Sequence, residues 1–396
     1  MPKFEGRGIA AIADKRCSLC GSSSPLIARN LGLCGRCVRE RDEALQIVRL
    51  AHGSLRKGLG LPPKPPKSEG GLACGLCSNE CIMAPGEKGY CGLRKNEGGV
   101  LRTLAPEGSG LFHDYLDPHV TNCCSSWFCP AGTGAGYPRF ARRPGPEHGY
   151  QNLAVFFYGC NFDCLYCQNE SHKNLRLENP KTIEHLVERV ARNRDVTCVC
   201  YFGGSPEPQL PFAISASKAM VENFPDRVMR ICFEWNGCGN PRLVEEAAEL
   251  ALLSGGNIKF DLKCFSEAMS FALSGVSNRR AFENFEMLAR GLYRKRSELP
   301  LLTATTLLVP GYVNENEVGR IAEFISRLDR NMPYSLLVFH PDFAMQDLPN
   351  TPFGQVASCY LAAKKHLERV HVGNLNLLGF SGMGDFLSKL RSRPRS

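Results

Sequence analysis

Three cysteines carry the sharpest chemical signal in this chain. Cys160, Cys164 and Cys167 follow one another at intervals of four and three residues within AVFFYGCNFDCLYCQN, residues 154–169. Three thiolates in one short loop can wrap an iron–sulfur cubane and leave its fourth iron without a protein ligand, open to a small molecule. A zinc ion would call for a fourth donor close by. Soft sulfur donors in a compact loop therefore point to a [4Fe-4S] cluster, which Phe162 and Tyr166, interleaved with the thiols, would shield from solvent.

Cysteine is abundant elsewhere, with 20 in 396 residues, and it is clustered. Cys17-x2-Cys20 and Cys34-x2-Cys37 have the spacing of a ribbon or knuckle around one tetrahedral metal, zinc in preference to a rubredoxin-like iron. Cys74, Cys77, Cys81 and Cys91 form a second group of four ligands, with Gly75, Gly86, Gly89 and Gly92 to turn the chain around them. Cys123 and Cys124 are adjacent and cannot easily grip one metal together, so one of them is expected to join Cys129 as a ligand. A second iron–sulfur cluster and a substrate-facing thiol are the alternatives there. Cys198, Cys200, Cys232, Cys238, Cys264 and Cys359 read as small buried hydrophobes.

Such clustering suits metal ligation better than disulfides, and a reducing cytoplasm is the expected location. Met1 is followed by Lys3, Glu5 and Arg7 with only a short Ile9–Ala13 apolar run, which does not read as a signal peptide. No stretch approaches the roughly 20 apolar residues of a membrane span, so no membrane partner is expected. The net charge is +9. Residues 1–70 alone hold 13 Lys and Arg against 6 Asp and Glu. That excess would steer an acidic protein surface toward the molecule or grip a phosphate backbone. The basic residues are scattered and no readout pattern accompanies them, so nucleic acid ranks behind protein as a partner.

The elements that must position these residues divide the chain into a basic zinc-ribbon-like module (1–60), a Pro/Gly linker (61–72), a second Cys-rich, turn-dense module (73–149), an α/β region (150–375) and an extension with a basic tail (376–396). In the linker, Pro62, Pro63, Pro65 and Pro66 favour an extended spacer. From 150 onward strand-like runs alternate with amphipathic helices. Strands are expected at 153–158, 196–202, 228–233, 258–262, 303–309 and 335–339. Helices are expected near 181–194, 211–223, 241–254, 278–294 and 315–328, with a helix near 353–367 and a short strand at 370–372 closing the end. The fold class is α/β: a partial (β/α)6 TIM-like barrel with small Cys-rich metal-binding modules at its N-terminus. The last eight residues are expected to be loose.

With the Cys loop placed after the first strand, the sequence resembles the radical S-adenosylmethionine superfamily, and within it the activating-enzyme-like branch related to pyruvate formate-lyase activase. Gly203, Gly204, Pro206 and Glu207 after the second strand match the glycine-rich segment of that family. Glycines there let backbone approach a ligand, and its carbonyls can accept hydrogen bonds from an α-ammonium group. Glu234 and Asn236 after the third strand, and Asp261 and Lys263 at the end of the fourth, resemble further motifs of the branch. The spacing of Asp261 and Lys263 puts both on one face of a strand, suited to a ribose hydroxyl and a carboxylate, or else to an internal salt bridge. Val309 and Gly311 after the fifth strand and His340 after the sixth would enclose the adenosine, although His340 also reads as a structural histidine.

The resemblance covers about residues 150–375. It implies a [4Fe-4S] cluster whose open iron binds S-adenosylmethionine, an external one-electron reductant, and a 5'-deoxyadenosyl radical that abstracts hydrogen from substrate. A protein or peptide is the favoured substrate, modified at an unactivated C–H bond. Cobalamin-dependent C-methylation is a specific version, although the chain has no separate cobalamin-binding domain. Activation of a glycyl-radical enzyme is the alternative. The helix after Asn169 follows without the ferredoxin-like Cys insertion of dedicated activases, which weighs against it. A noncatalytic metal-supported module binding protein or nucleic acid would require every one of these signals to be coincidental.

Overall fold

A computed structural model describes residues 13–296 and 298–392. Residues 9–12 of the apolar run and the last four residues of the basic tail lie outside that range. At the centre is a nine-stranded sheet. Its strands are β1 (Ser109–Pro118), β2 (Gln151–Phe157), β3 (Pro180–Thr182), β4 (Val196–Gly203), β5 (Arg230–Trp235), β6 (Ile258–Asp261), β7 (Leu302–Leu308), β8 (Tyr334–Val338) and β9 (Val370–Gly373). Their spatial order is β9-β8-β7-β6-β5-β4-β2-β1-β3. The seven strands from β2 and β4 to β9 run parallel, while β1 is antiparallel to both β2 and β3. This is a mixed α/β core whose parallel strands follow in chain order, as a partial barrel requires.

Parallel strands covered on both faces read as continuous apolar runs, and every residue of Leu302–Leu308 is buried. The connecting helices are α3 (Ile183–Ala191), α4 (Leu210–Asn223), α5 (Pro241–Ser254), α6 (Glu267–Ser274), α7 (Arg279–Gly291), α8 (Glu315–Leu328) and α9 (Phe353–Lys364), after α1 (Gly35–Glu40) and α2 (Ala44–Gly58). Right-handed crossovers without a reversal of strand order put these helices on one side of the sheet. The other side is an inner face, reached by alternate residues: Cys198, Cys200 and Phe202; Arg230, Cys232 and Glu234; Lys259 and Asp261.

Two features depart from the sequence reading. The parallel strands number seven, because β9 pairs with β8 in register from Tyr334↔Val370 onward. The turn-dense segment, in which no strand was expected, contributes the ten-residue β1. Its apolar alternation is broken by Asp114, which faces Lys181, His185 and Arg189 of β3 and α3 at 2.8–3.2 Å rather than solvent. Of the last eight residues, Lys389–Arg391 belong to a helix over Met383–Arg391 that buries Phe386.

The N-terminal module is docked, not strung out. Tyr312, just after β7, accepts the Ala28 N–H through its hydroxyl at 2.9 Å and donates to Leu33 O at 2.8 Å. Gly35 approaches so closely that a Cβ there would lie 2.3 Å from Gly311 O. No helix of the described residues is long and apolar enough to cross a membrane.

Candidate active site

The Cys loop leaves β2 at Gly159, whose φ of +80° suits glycine. Its backbone is pinned to α6: Asp163 N donates to Ser274 O at 2.8 Å and Leu165 N to Leu273 O at 3.0 Å. Asn79 of the second Cys module donates to Asn161 O at 2.7 Å. Asp163 is fully buried and faces three basic side chains, the imidazole of His52 at 2.9 Å, Arg56 at 3.4 Å and Lys173 at 2.5 Å. Burial alone would raise its carboxyl, but those partners hold it well below the usual carboxylate range. Two of them, His52 and Arg56, come from α2. The loop that carries the thiols is therefore clamped by a helix more than a hundred residues earlier.

A cavity of about 180 Å³ opens against this loop. Of the residues singled out from sequence, Cys160, Phe162, Cys164, Tyr166, Cys167, Gly203, Gly204, Glu234, Asn236, Asp261 and Lys263 all reach its wall. Asp261 and Lys263 form a close ion pair there. Asn236 Nδ2 donates to Asn161 Oδ1 at 2.7 Å and to Ser205 Oγ at 3.0 Å, which ties the end of β5 to the Cys loop and the end of β4.

Five of the residues do not reach it. Pro206 and Glu207 lie behind the wall, where Glu207 accepts the Gly237 N–H at 2.7 Å and burial pushes its carboxyl up to about 7. Val309 is fully buried. Gly311 faces Leu26 of the N-terminal module, and His340 lies by Asp342 at 3.2 Å. Glycine at 203 and 204 is demanded first by the neighbouring strand: a Cβ on Gly204 would sit 2.2 Å from Gly159 O, and one on Gly203 2.7 Å from Phe157 N.

The donor set fits a cluster with an open iron. Among the described residues, Cys160, Cys164 and Cys167 are the only thiols at this cavity wall. No three of their sulfurs lie mutually within 4.8 Å among the described residues, wider than one tetrahedral ion draws its ligands and suited to a polynuclear cluster. Burial, with the neighbouring Cys164, pushes the Cys160 thiol up and that of Cys167 to about 11, so ligation would release protons. Tyr166 Oη, His172 Nδ1 and Trp235 Nε1, on three lining residues, are buried without a protein partner.

Sequence reasoning passed over Asn161, His172 and Trp235, which line or adjoin the cavity. His172 Nε2 lies 3.6 Å from Cys167 Sγ. The polar residues between and just after the three cysteines were the available signal, because a buried cluster loop needs its amides satisfied.

In the N-terminal module, the sulfurs of Cys17, Cys20, Cys34 and Cys37 lie within 4.8 Å of one another, with Cys20 and Cys34 3.8 Å apart. A tetrahedral ion holding sulfur at about 2.3 Å spaces its ligands by about 3.8 Å, so this group can bind a metal. Cys74, Cys77, Cys81 and Cys91 line one small cavity. Cys238, Cys264 and Cys359 are fully buried. Cys123, Cys129, Cys198, Cys200 and Cys232 instead line a second cavity, of about 340 Å³, on the inner face of the sheet.

Comparison with known proteins bears on the same stretch. Residues 154–325 match the family model described as the Radical SAM superfamily. Over 315 residues the chain is 26% identical to the uncharacterized protein MJ0808 of Methanocaldococcus jannaschii, an alignment that covers 77% of this chain and 81% of that one. It is 23% identical over 233 residues to "Putative glycyl-radical enzyme activating enzyme MJ1227" of the same organism, covering 57% of this chain and 90% of the other. A crystal structure of Streptococcus suis SuiB bound to precursor peptide SuiA superposes with a TM-score of 0.42 at 11% identity, over 60% of this chain and 51% of SuiB. The chain thus spans about half the length of that structure.

Proposed function

We propose that this chain, whose residues 154–325 match the Radical SAM superfamily, is a radical S-adenosylmethionine enzyme that modifies an unactivated C–H position of a protein or peptide. The observation that carries the reading is the three-thiol wall of the 180 Å³ cavity, facing the polar ends of β4, β5 and β6. Cys160, Cys164 and Cys167 would hold a [4Fe-4S] cluster, with Gly203, Gly204, Glu234, Asn236, Asp261 and Lys263 around S-adenosylmethionine. When bound, that pair supplies one-electron reductive cleavage of the cofactor and hydrogen abstraction from substrate. Asn236 fixes the Cys loop against β5, and Lys263 beside Asp261 offers an ammonium to a carboxylate. Phe162 and Tyr166, both buried, keep water from the thiols.

A macromolecular substrate is favoured by the docked basic module, whose α2 reaches the Cys loop through His52 and Arg56. Cobalamin-dependent methylation is the narrower version. Installation of a glycyl radical on a partner is the second reading, favoured by the name of the relative that the chain covers over 90% of its length.

Anaerobic reconstitution with iron, sulfide and S-adenosylmethionine, followed by dithionite, is expected to yield 5'-deoxyadenosine. The Cys160→Ala/Cys164→Ala/Cys167→Ala variant is expected to yield none, and turnover by that variant would defeat the assignment. Incubation with cell proteins then separates the outcomes: a mass change on a peptide supports the first reading, and a glycyl-radical signal on a partner supports the second.

A further inference from the structure

The second cavity is walled by thiols from two sources. Cys198 and Cys200 alternate along β4 and so face the same side of the sheet, and Cys232 is the register partner of Cys200 on β5. Across from them, the segment after β1 turns inward. There Cys124 Sγ accepts from Thr305 Oγ1 at 3.2 Å, Trp127 Nε1 reaches Ser335 Oγ at 3.1 Å, and Cys123 and Cys129 face the cavity. Buried cysteines that merely fill a core pack against apolar neighbours. Here five thiols line a space of about 340 Å³.

Two further observations select what belongs in it. Lys259, buried on β6, places its ammonium 3.1 Å from Cys123 Sγ, 3.7 Å from Cys200 Sγ and 2.5 Å from Glu234 Oε2. An ammonium donating to two sulfurs offsets the negative charge that thiolate ligands bring to a cluster. In addition, among the described residues around this chamber only Cys123, Cys124 and Glu234 come mutually within 4.8 Å. Sulfurs spread more widely around one chamber suit several metal atoms bridged by sulfide, not a single tetrahedral ion.

We propose that this chamber is a second iron–sulfur site, held by four thiols drawn from Cys123, Cys129, Cys198, Cys200 and Cys232 with Lys259 as hydrogen-bond donor. It adjoins the cavity of the Cys160–Cys167 loop, since Asn169, Phe202 and Glu234 line both. The site is independent of which substrate the enzyme modifies.

The test uses the full chain reconstituted anaerobically with ferrous iron and sulfide. Anomalous scattering at the iron edge from its crystals is expected to show iron between β4, β5 and the 123–129 segment, apart from the iron at Cys160–Cys167. Adding Cys198→Ala and Cys232→Ala to the Cys160/Cys164/Cys167 variant is expected to remove a further about two to four irons per chain, with the corresponding Mössbauer signal. A chamber free of iron in the unmodified chain's map overturns the proposal whether or not the variants fold. An unchanged iron count in folded variants also overturns it. 5'-Deoxyadenosine formation is read separately, so loss of one site does not mimic loss of the other.

Discussion

His52 Nδ1 and Asp163 Oδ2 lie 2.9 Å apart, both buried, although they stand 111 positions apart in the chain. With Arg56 and Lys173 on its other oxygen, Asp163 is the point where the N-terminal module, the Cys loop and the following turn meet. Replacing Asp163 by Asn keeps the shape but leaves Arg56 and Lys173 buried without their counter-charge. The expected cost is about 3–5 kcal/mol, read as a shift in urea unfolding under anaerobic conditions. An unchanged midpoint would mean that the clamp carries no stability.

His172 is close enough to Cys167 to donate an N–H to its sulfur, and it lines the same cavity. If it is a donor and not the fourth ligand, His172→Ala retains the cluster and still changes its electron paramagnetic resonance spectrum when S-adenosylmethionine is added. A variant that newly binds the cofactor, where the unmodified enzyme does not, would identify His172 as a ligand.

Lys263 sits beside Asp261 at the end of β6. Lys263→Met is expected to weaken S-adenosylmethionine binding by tenfold or more, about 1.4 kcal/mol, with iron content unchanged. Equilibrium binding to the reconstituted enzyme measures both.

Glu147 is buried and chelates Arg230 at 2.6 and 2.9 Å. Burial would raise its carboxyl, but Arg230 and the Arg142 N–H hold it down at about 2, from an ordinary value of 4.5. In that window the unfolded chain binds the proton and the folded one does not, so this contribution is full above about pH 4.5 and lost as the pH falls toward 2. It amounts to about 3 kcal/mol. Glu147→Gln is expected to be less stable at neutral pH and to lose this part of the acid dependence, as thermal unfolding between pH 3 and 7 would measure.

The N-terminal thiols are expected to hold one zinc per chain. Cys17→Ser/Cys37→Ser should lose it, measured by elemental analysis, and should weaken docking onto the Tyr312 loop, read as faster proteolysis of the first 60 residues.

What was legible in the sequence is what local spacing can encode. Cys160, Cys164 and Cys167 share a loop, and Asp261 and Lys263 lie two residues apart where β6 ends, so their company in one cavity follows from strand ends meeting. Positions set by long-range packing were not legible. Gly311 looks like part of the ligand enclosure until the N-terminal module is seen against it, and Glu207 turns away to satisfy the Gly237 amide. Cys198, Cys200 and Cys232 read as core because nothing near them in sequence announces that the 123–129 segment stops short of filling the space they face.

The contact between Gly35 and Gly311 carries a demand of its own. With bare backbone on both sides and a carbonyl 2.3 Å from where a methyl group would stand, the joint tolerates no side chain at position 35. Grafting this metal ribbon onto another scaffold would require a matching notch in the host loop, and an alanine scan of the ribbon should find its most damaging hit at a residue that has no side chain to lose.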